Sequence, residues 1–290
     1  CMPFKHIKLR EQRNNMTEKY EFEVGEDGLD YDILDKSYNA HTQACLLTNG
    51  LRKGMDILDI GSGAGVMTAW LAQQVGEEGS VTAVDNSAEQ LQQVQTRTEN
   101  LGLTNVETHV LSAYDLQTLD QQFDAVYCRF LLHHLHSPRL ALDSIFEVLK
   151  PNGVYFGQEG LVDTMFAYPY TEHWVGKPFP GRSPLEDRHV QEGKDRDGDF
   201  GLRLMFEAIQ TGFNILDCQY HQPMLWTKDQ KRGLLAGLIA FKNTELAQGM
   251  TEEQWQLRYE AFQQLIDDEQ QLIGFYGSCF IAGQKADCQI

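Results

Sequence analysis

The first half of the chain alternates between short apolar runs and helical stripes. The run "MDILDI" at residues 55–60 predicts a buried strand, and the following "GVMTAWLAQQV" has the apolar spacing of a helix. Four more strands are predicted further along, at "SVTAVD", "VETHVL", "FDAVYCR" and "GVYFGQE". Alternation of this kind predicts a mostly parallel, doubly wound sheet with helices on its faces.

Helix starts in this half are marked by capping residues. Ser87, followed by Gln90, has the spacing of a capping box. Ser137 is expected to be the N-cap of a helix that begins at Pro138, because proline favours the first helical position. A further helix, over residues 31–47, is expected to lead into the first strand.

The second half of the chain departs from this alternation. Residues 161–201 are rich in aromatic residues, proline, glycine and charge, and they predict an insertion that folds over a site. A helix ("GLRLMFEAIQTGF") and a strand ("NILDCQYHQ") follow, and helices over 228–248 and 251–272 then precede a last strand from Gly274. The second of those helices carries an apolar stripe of Trp255, Tyr259, Phe262 and Ile266.

These patterns divide the chain into a core with two inserted caps. The predicted segments are an N-terminal extension, partly disordered (1–30), a core with a leading helix (31–160), a first cap insertion (161–201), a return to the core (202–225), a helical cap insertion (226–272), and the last core strand with a tail (273–290).

The composition of the chain argues against nucleic-acid and membrane partners. The formal net charge of -18, from 42 acidic and 24 basic residues, disfavours nucleic acid as a partner. No apolar stretch approaches the roughly 20 residues that cross a bilayer, so no membrane partner is expected. The first residues lack the apolar core of a signal peptide.

Six cysteines without a C-x-x-C pair favour reduced thiols in the cytoplasm over disulfides or a zinc site. A homodimer is left open.

Three glycines mark the turn after the first strand. Gly61, Gly63 and Gly65 fall between that strand and the next helix, where glycine permits positive φ and lets a ligand approach the main chain. The helix N-terminus there favours a polar or anionic group. About 20 residues further on, Asp85 ends the second strand, where a carboxylate can accept hydrogen bonds from both hydroxyls of a ribose. The combination indicates a ligand that carries a nucleoside.

The glycine spacing distinguishes between nucleoside ligands. The pattern is G-x-G-x-G, with Val66 where the dinucleotide fingerprint has glycine. With "FDAVYCRFLLHHL" and "LKPNG" further on, the chain resembles the class I S-adenosylmethionine-dependent methyltransferases, and in particular the branch of the ubiquinone and menaquinone biosynthesis enzymes. The resemblance covers roughly residues 56–159. It implies an α/β fold with a Rossmann-like, doubly wound, mostly parallel seven-stranded sheet whose last strand is antiparallel, with helical cap insertions.

The resemblance also implies residues of the cofactor site. Gly61, Gly63 and Gly65 would approach the aminopropyl and ribose parts of S-adenosylmethionine, and Asp85 would hold the ribose hydroxyls. The other implied positions are Asn86 at the adenosine cleft, Ser112, Ala113 and Tyr114 at the adenine, Cys128 and Arg129 beside the methionine part, and Gln43 for its carboxylate. Relatives often carry an aspartate on the adenine amino group, and Ser112 stands at that position.

The chemistry follows from the implied cofactor, whose sulfonium already carries an activated methyl group. The protein then has to hold a nucleophile in line with that methyl group in a site without water. A general base for a phenol, alcohol or amine would lie on the loops after the fourth and fifth strands, where His133 and Glu159 occur. Glu159 is also a candidate for binding a cationic or hydroxylated acceptor. Consecutive histidines at His133, His134 and His136 cannot all converge on one ion, so no metal site is expected.

The predicted function is therefore methyl transfer from S-adenosylmethionine to the oxygen, nitrogen or carbon of a small organic acceptor. Two alternatives remain open at this point: a non-catalytic module that binds the same cofactor, and a nicotinamide-dependent oxidoreductase. Four residues of the first cap insertion, Tyr168, Tyr170, His173 and Trp174, are interpreted either as pocket lining or as aromatic packing.

Overall fold

A central sheet of seven strands organises the molecule. The computed structural model describes residues 33–169, 200–242 and 251–286. The strands of the large sheet are β1 (Asp56–Ile60), β2 (Ser80–Asp85), β3 (Val106–Val110), β4 (Phe123–Arg129), β5 (Leu149–Leu161), β7 (Phe213–His221) and β10 (Gly277–Lys285). The helices are α1 (Ile33–Thr48), α2 (Val66–Val75), α3 (Ala88–Asn100), α4 (Pro138–Val148), α5 (Leu204–Thr211), α6 (Lys228–Lys242) and α7 (Glu252–Asp267).

The strand order confirms the predicted fold. It runs β3-β2-β1-β4-β5-β10-β7; β1 to β5 are parallel to one another, whereas β10 is antiparallel to both β5 and β7. The order reverses between β1 and β4, which is where open α/β sheets bind their ligands. The carboxyl ends of the parallel strands therefore form one edge, on which the predicted site residues lie.

Helices cover both faces of the large sheet. One apolar core lies under α4 and α5 and includes Tyr155 and Phe213 of the strands. The other lies under α1 and α2 and includes Phe156 and Phe280. Because successive residues of β5 point to opposite faces, Tyr155 and Phe156 serve the two cores separately.

The helix starts partly follow the capping predictions. The Ser87 side chain accepts a hydrogen bond from the Gln90 amide, as predicted. Ser137 occupies the N-cap position of α4, but its hydroxyl makes no capping hydrogen bond, and its carbonyl instead accepts from the amide of Leu140 at 2.9 Å. The prediction of Ser137 as the N-cap is therefore confirmed, although the main chain and not the hydroxyl provides the bond.

A second, smaller sheet lies beside the large one and was not predicted. Its three antiparallel strands have the order β6-β9-β8, with β6 at Phe166–Tyr168, β8 at Met224–Leu225 and β9 at Leu272–Gly274. We call β8, α6, α7 and β9 together the helical cap. The predicted last strand from Gly274 is thus divided between the two sheets.

The helical cap has its own apolar core. Trp255, Phe262 and Leu265 of α7 are buried with Ile33 and Tyr38 of α1. Tyr259, which the sequence placed on the same stripe, is 39% exposed. The buried face instead includes Leu265, together with Trp255, Phe262 and Ile266 of the predicted stripe. None of the helices in the described part of the chain has the length and apolar character needed to cross a bilayer.

Candidate active site

The glycine turn joins β1 to α2 at the carboxyl edge of the large sheet. Gly61, Gly63 and Gly65 have φ values of 68°, 51° and 77°, which glycine adopts without a steric cost. A Cβ on Gly65 would lie 2.9 Å from the Val94 side chain, and one on Gly61 would lie 3.1 Å from Leu131. Nothing lies within 4 Å of that position on Gly63. Gly61 and Gly65 therefore serve close packing, while Gly63 presents open backbone surface.

Much of the turn is bonded within the protein. Gly61 and Ser62 donate N–H bonds to the Val84 carbonyl at 2.8 and 3.2 Å, and Gly63 donates to the Asp85 carboxylate at 3.0 Å. The Ser62 hydroxyl oxygen is buried and has no hydrogen-bond partner within the described ranges. Since buried polar groups normally have a partner, this hydroxyl is available to a ligand atom or a water.

Asp85 is held in place from two sides. One carboxylate oxygen accepts from Gly63 and the other accepts from the Ser87 amide at 2.9 Å. Burial raises the pKa of Asp85 above its ordinary value, and hydrogen bonds from the backbone of Ser87, Gly63 and Asn86 oppose that rise. A carboxylate offers about four acceptor positions, so Asp85 keeps capacity for a ligand hydroxyl.

A second carboxylate lies beside Asp85, and the sequence analysis did not identify it. Asp59 of β1 is buried and accepts a hydrogen bond from the Thr68 hydroxyl at 2.6 Å. Burial raises the pKa of Asp59 to about 6, although the Thr68 hydrogen bond and the charge of Arg129 oppose the rise. Its neighbour directly across in β4 is Tyr127, whose hydroxyl is buried without a partner in the described structure. The signal for Asp59 was an acidic residue inside an apolar strand.

The loop after β3 contributes main chain more than side chains. Ser112 is half-buried and its hydroxyl accepts from the Tyr114 amide at 3.3 Å. Ala113 and Tyr114 are buried, and the Tyr114 hydroxyl accepts from the Ser137 amide at 3.2 Å. The Tyr114 side chain therefore belongs to the core. Asn86, directly after Asp85, is exposed.

The end of β4 fastens the leading helix to the sheet. Arg129 donates to Asp35 at 2.8 Å and to Asn39 at 2.6 Å, both on α1. Gln43 lies one turn further along that helix and is half-buried. Cys128 points to the opposite face and is fully buried in the core under α4. The expectation that the Cys128 side chain borders a ligand does not fit this burial, which also raises the pKa of its thiol.

The backbone bends sharply where β4 ends. Phe130 has a φ of 54°, a left-handed conformation that costs a bulky residue about 1–2 kcal/mol. Its N–H nevertheless bonds the Gln158 carbonyl of β5 at 2.8 Å. Strain of this kind is concentrated at functional sites, and here it directs the following loop across the end of β5.

Glu159 of β5 organises that loop. One of its carboxylate oxygens accepts from the amides of Leu131 and Leu132 at 3.1 and 2.8 Å. The other accepts from the His133 amide at 3.3 Å and contacts the His133 Nδ1 at 2.6 Å. The Glu159 side chain is 0% exposed, whereas His133 is 14% exposed.

These contacts change the interpretation of Glu159. Its four acceptor positions are occupied by the loop, and its full burial separates it from any acceptor molecule. Glu159 is therefore a positioning residue for His133, and the expectation that it contacts an acceptor does not fit the geometry. The sequence analysis named both residues but did not pair them.

Aromatic rings surround the start of this loop. The Phe130 ring centroid lies 4.9 Å from that of Tyr38, 5.7 Å from that of Tyr276 and 6.3 Å from that of His133. Tyr276 lies in the connection from β9 to β10. Of the aromatic residues named in the first cap insertion, Tyr168 is 70% exposed, and Tyr170, His173 and Trp174 lie outside the described residues.

The core matches a known family of domains. Residues 57–153 match a family model described as a methyltransferase domain. A ubiquinone/menaquinone biosynthesis C-methyltransferase of Pseudoalteromonas translucida is 32% identical over 129 residues, which cover 42% of this chain and 51% of that protein. The match thus spans about half the length of that curated relative. The resemblance to class I methyltransferases is confirmed for this part of the chain.

Solved structures share the fold over most of the chain. Coclaurine N-methyltransferase, bound to N-methylheliamine and S-adenosylhomocysteine (SAH), has a TM-score of 0.56 at 19% identity, with 98% of this chain and 89% of that chain covered. The cyclase SpnF has a TM-score of 0.53 at 18% identity, with 86% and 82% covered. At such identities the likeness concerns the fold alone, and the cyclase shows that other chemistry occurs on it.

Proposed function

We propose that this chain, whose residues 57–153 carry a methyltransferase domain, transfers the methyl group of S-adenosylmethionine to a small organic acceptor. One observation carries the proposal. The Asp85 carboxylate is held by the amides of Gly63 and Ser87 at 3.0 and 2.9 Å, beside the open backbone of Gly63. A fixed carboxylate next to bare main chain suits a ribose and the chain attached to it.

The residues at this edge fit S-adenosylmethionine. Asp85 would hold the ribose hydroxyls, and the open surface of Gly63 leaves room for the part of the cofactor that links ribose and sulfur. The buried hydroxyls of Ser62 and Tyr127 supply polar atoms that otherwise lack a partner in the described structure. Asp59, beside Tyr127, supplies a negative charge suited to the ammonium of the methionine part.

The groups proposed to bind the adenine and the methionine carboxylate are less specific than those proposed for the ribose. The main chain at Ala113 and the exposed side chain of Asn86 would border the base. Gln43 and the Arg129 guanidinium, which approach from α1 and β4, are the candidates for the carboxylate.

His133 is proposed to accept the proton of the acceptor. The bound cofactor supplies the activated methyl group. Because a Glu159 carboxyl oxygen lies 2.6 Å from Nδ1 of His133 and is placed to accept from it, Glu159 would hold the His133 proton on Nδ1 and leave the lone pair on Nε2. A phenol, alcohol or amine placed at Nε2 would then lose its proton as its oxygen or nitrogen attacks the methyl group.

The acceptor would be enclosed by aromatic rings and by the cap. Phe130 lies beside His133, Tyr276 packs against Phe130, and both aromatic residues are half-buried. Inserted segments generally set substrate choice on this kind of scaffold. The four free cysteines of the described residues support a location in the reducing cytoplasm.

Cofactor binding is tested by titration calorimetry with S-adenosylmethionine and with SAH. We expect both to bind, and we expect Asp85→Ala to lose about 2 kcal/mol, or roughly 30-fold in affinity, since charge-assisted hydrogen bonds are lost. Asp124→Asn is the matched control, because Asp124 is a half-buried carboxylate at the opposite edge of the sheet, bonded to Lys150 at 2.9 Å. Folded protein that binds neither ligand would refute the proposal.

Turnover is tested with methyl-labelled cofactor and a pool of extracted metabolites. We expect His133→Gln to lower the rate of SAH formation about 100- to 10,000-fold without loss of SAH binding. His109→Gln, a histidine on β3 that pairs with Glu107 at 2.9 Å, is the control. Cofactor binding with no turnover of any metabolite would favour the non-catalytic module, and a thermal shift with a nicotinamide dinucleotide alone would favour the oxidoreductase.

A further inference from the structure

Two cysteines outside the candidate active site lie side by side on the large sheet. Cys218 of β7 and Cys279 of β10 have their sulfur atoms 3.7 Å apart. Cys218 is exposed and Cys279 is half-buried, and both are free thiols. The other free thiols of the described residues, Cys45 and Cys128, are buried.

The strand register makes the two cysteines diagonal neighbours. Cys218 is directly opposite Ile281, and Cys279 is directly opposite Tyr220. Diagonal positions on antiparallel strands are about 7–8 Å apart at Cα, which is at or beyond the upper limit for an unstrained disulfide. A bond between the two sulfur atoms would therefore form with strain, and strained disulfides are the readily reduced, reversible ones.

The pair lies where the helical cap is attached to the sheet. The chain leaves the sheet at the end of β7, passes through β8, α6, α7 and β9, and returns as β10. The whole helical cap thus lies between Cys218 and Cys279 in sequence. A bond between them would close the loop that contains the cap and would fix its two connections together.

We propose that Cys218 and Cys279 are a redox-sensitive pair that a hydroperoxide converts into a reversible disulfide at the base of the helical cap. The Cys218 thiolate attacks the outer oxygen of the hydroperoxide, the O–O bond breaks, and an alcohol or water leaves with a proton. Cys218 is then a sulfenic acid. The Cys279 sulfur displaces its oxygen, which leaves as water with the Cys279 proton. Two thiols are oxidised, and one hydroperoxide is reduced by two electrons.

The two thiols are suited to different steps. Burial raises the pKa of Cys279 to about 12, and the neighbouring Cys218 adds to the rise. Cys279 is therefore protonated at neutral pH, and Cys218, which is exposed to solvent, is the sulfur that meets the oxidant first.

The experiment uses the full chain with Cys1 and Cys288 replaced by serine, so that Cys45, Cys128, Cys218 and Cys279 remain. After treatment with hydrogen peroxide and denaturation, we expect the thiol count to fall from four to two. Mass spectrometry of peptides should show one bond, Cys218 to Cys279, within a single chain. Reduced glutathione should restore all four thiols.

Three variants sharpen the result. Cys218→Ser and Cys279→Ser should each form no intramolecular disulfide, whereas Cys45→Ala should form it as the unsubstituted chain does. A thiol count that stays at four, a bond to Cys45 or Cys128, or a bond between two chains would overturn the proposal. These readouts need neither cofactor nor acceptor, so they are independent of the proposed methyltransferase activity.

Discussion

Two parts of the molecule bury a charge and bond it to the main chain, with opposite signs. At the carboxyl edge of the large sheet, Glu159 accepts hydrogen bonds from the three consecutive amides that follow Phe130. In the helical cap, the buried ammonium of Lys231 donates to the carbonyls of Leu265, Asp268 and Gln271 at 3.0, 2.6 and 3.1 Å. Each side chain satisfies backbone groups that would otherwise need water.

These side chains differ in how many of their hydrogen-bonding positions remain free for a ligand. An ammonium has three donors, and all three of Lys231 are used at the end of α7, so Lys231 is structural. Glu159 is equally saturated, but one of its partners is the His133 ring, through which it would act on the proposed methyl transfer. Asp85 accepts from the backbone of Gly63, Ser87 and Asn86, one contact fewer than Glu159, and is half-buried. If Asp85 binds the cofactor as proposed, remaining bonding capacity distinguishes ligand-facing charges from structural ones better than burial does.

The largest expected effect is at Glu159. Glu159→Ala should lower the free energy of unfolding by about 4 kcal/mol, because three amides and His133 lose their fully buried carboxyl partner. Urea denaturation of the variant and of Glu107→Ala, an exposed glutamate on β3, measures this directly. A loss at Glu159 no larger than that of the control would mean that the loop after β4 is held by other contacts.

Asp59 can be compared with Glu159, because both carboxyl groups are buried. Asp59 accepts from the Thr68 hydroxyl, whereas Glu159 accepts from backbone amides. Its folded-state pKa of about 6 lies some 2 units above the ordinary value, so ionising it in the folded protein costs about 3 kcal/mol. The folded state holds a proton between about pH 4 and pH 6 that the unfolded state releases, and stability therefore falls as the pH rises through that range. Above it the cost is fully present.

Asp59→Asn removes that cost. We expect the variant to be about 3 kcal/mol more stable than the unsubstituted chain at pH 8, with a gain that shrinks below pH 6 and levels off near pH 4. Asp124→Asn should instead be less stable than the unsubstituted chain, with a loss that shrinks only as the pH falls below about 4. Burial would raise the pKa of Asp124, but the Asp56 amide and Lys150 hold it below its ordinary value. Denaturation curves from about pH 2 to pH 8 give both pH dependences, and a pH-independent difference for Asp59→Asn would exclude the raised pKa.

Sequence reasoning succeeded where bonding partners are close along the chain. The strand, glycine turn and helix from β1 to α2 are contiguous, and Asp85 ends the neighbouring strand, so their meeting follows from parallel pairing. Glu159 and His133 meet only through the register of β4 with β5. That register was not predictable from spacing, because β5 extends by several residues beyond the apolar run that marked it.

The helical cap was predicted least well. Its strands β8 and β9 have only two and three residues, too few to show a period of two. The partners of Lys231 are 34 to 40 residues away in sequence, and lysine gives no sign of burial in a sequence. Tyr259 was placed on the buried stripe because i+4 spacing alone does not locate the centre of the apolar face.

The glycine turn provides a matched pair within the core. Gly65→Ala should cost about 2–3 kcal/mol of stability, because the new methyl group combines left-handed strain with overlap of Val94 at 2.9 Å. Gly63→Ala introduces only the left-handed backbone strain and should lower the free energy of unfolding by about 1 kcal/mol. Its affinity for SAH should fall about tenfold, because the methyl group fills the open surface. Denaturation and SAH titration of both variants separate the roles, and an equal loss of affinity in the two would contradict the division.

Lys231 provides a test of the helical cap itself. Lys231→Met keeps the length of the side chain but removes its three donors, and the last carbonyls of α7 can reach water by fraying. We therefore expect a loss of about 2 kcal/mol in unfolding free energy. Because the Lys231 donors reach only carbonyls of the cap, SAH affinity should stay within about twofold. If SAH affinity fell in step with stability, the cap and the carboxyl edge would act as one cooperative unit, and the distinction between structural and ligand-facing charges would not extend to the cap.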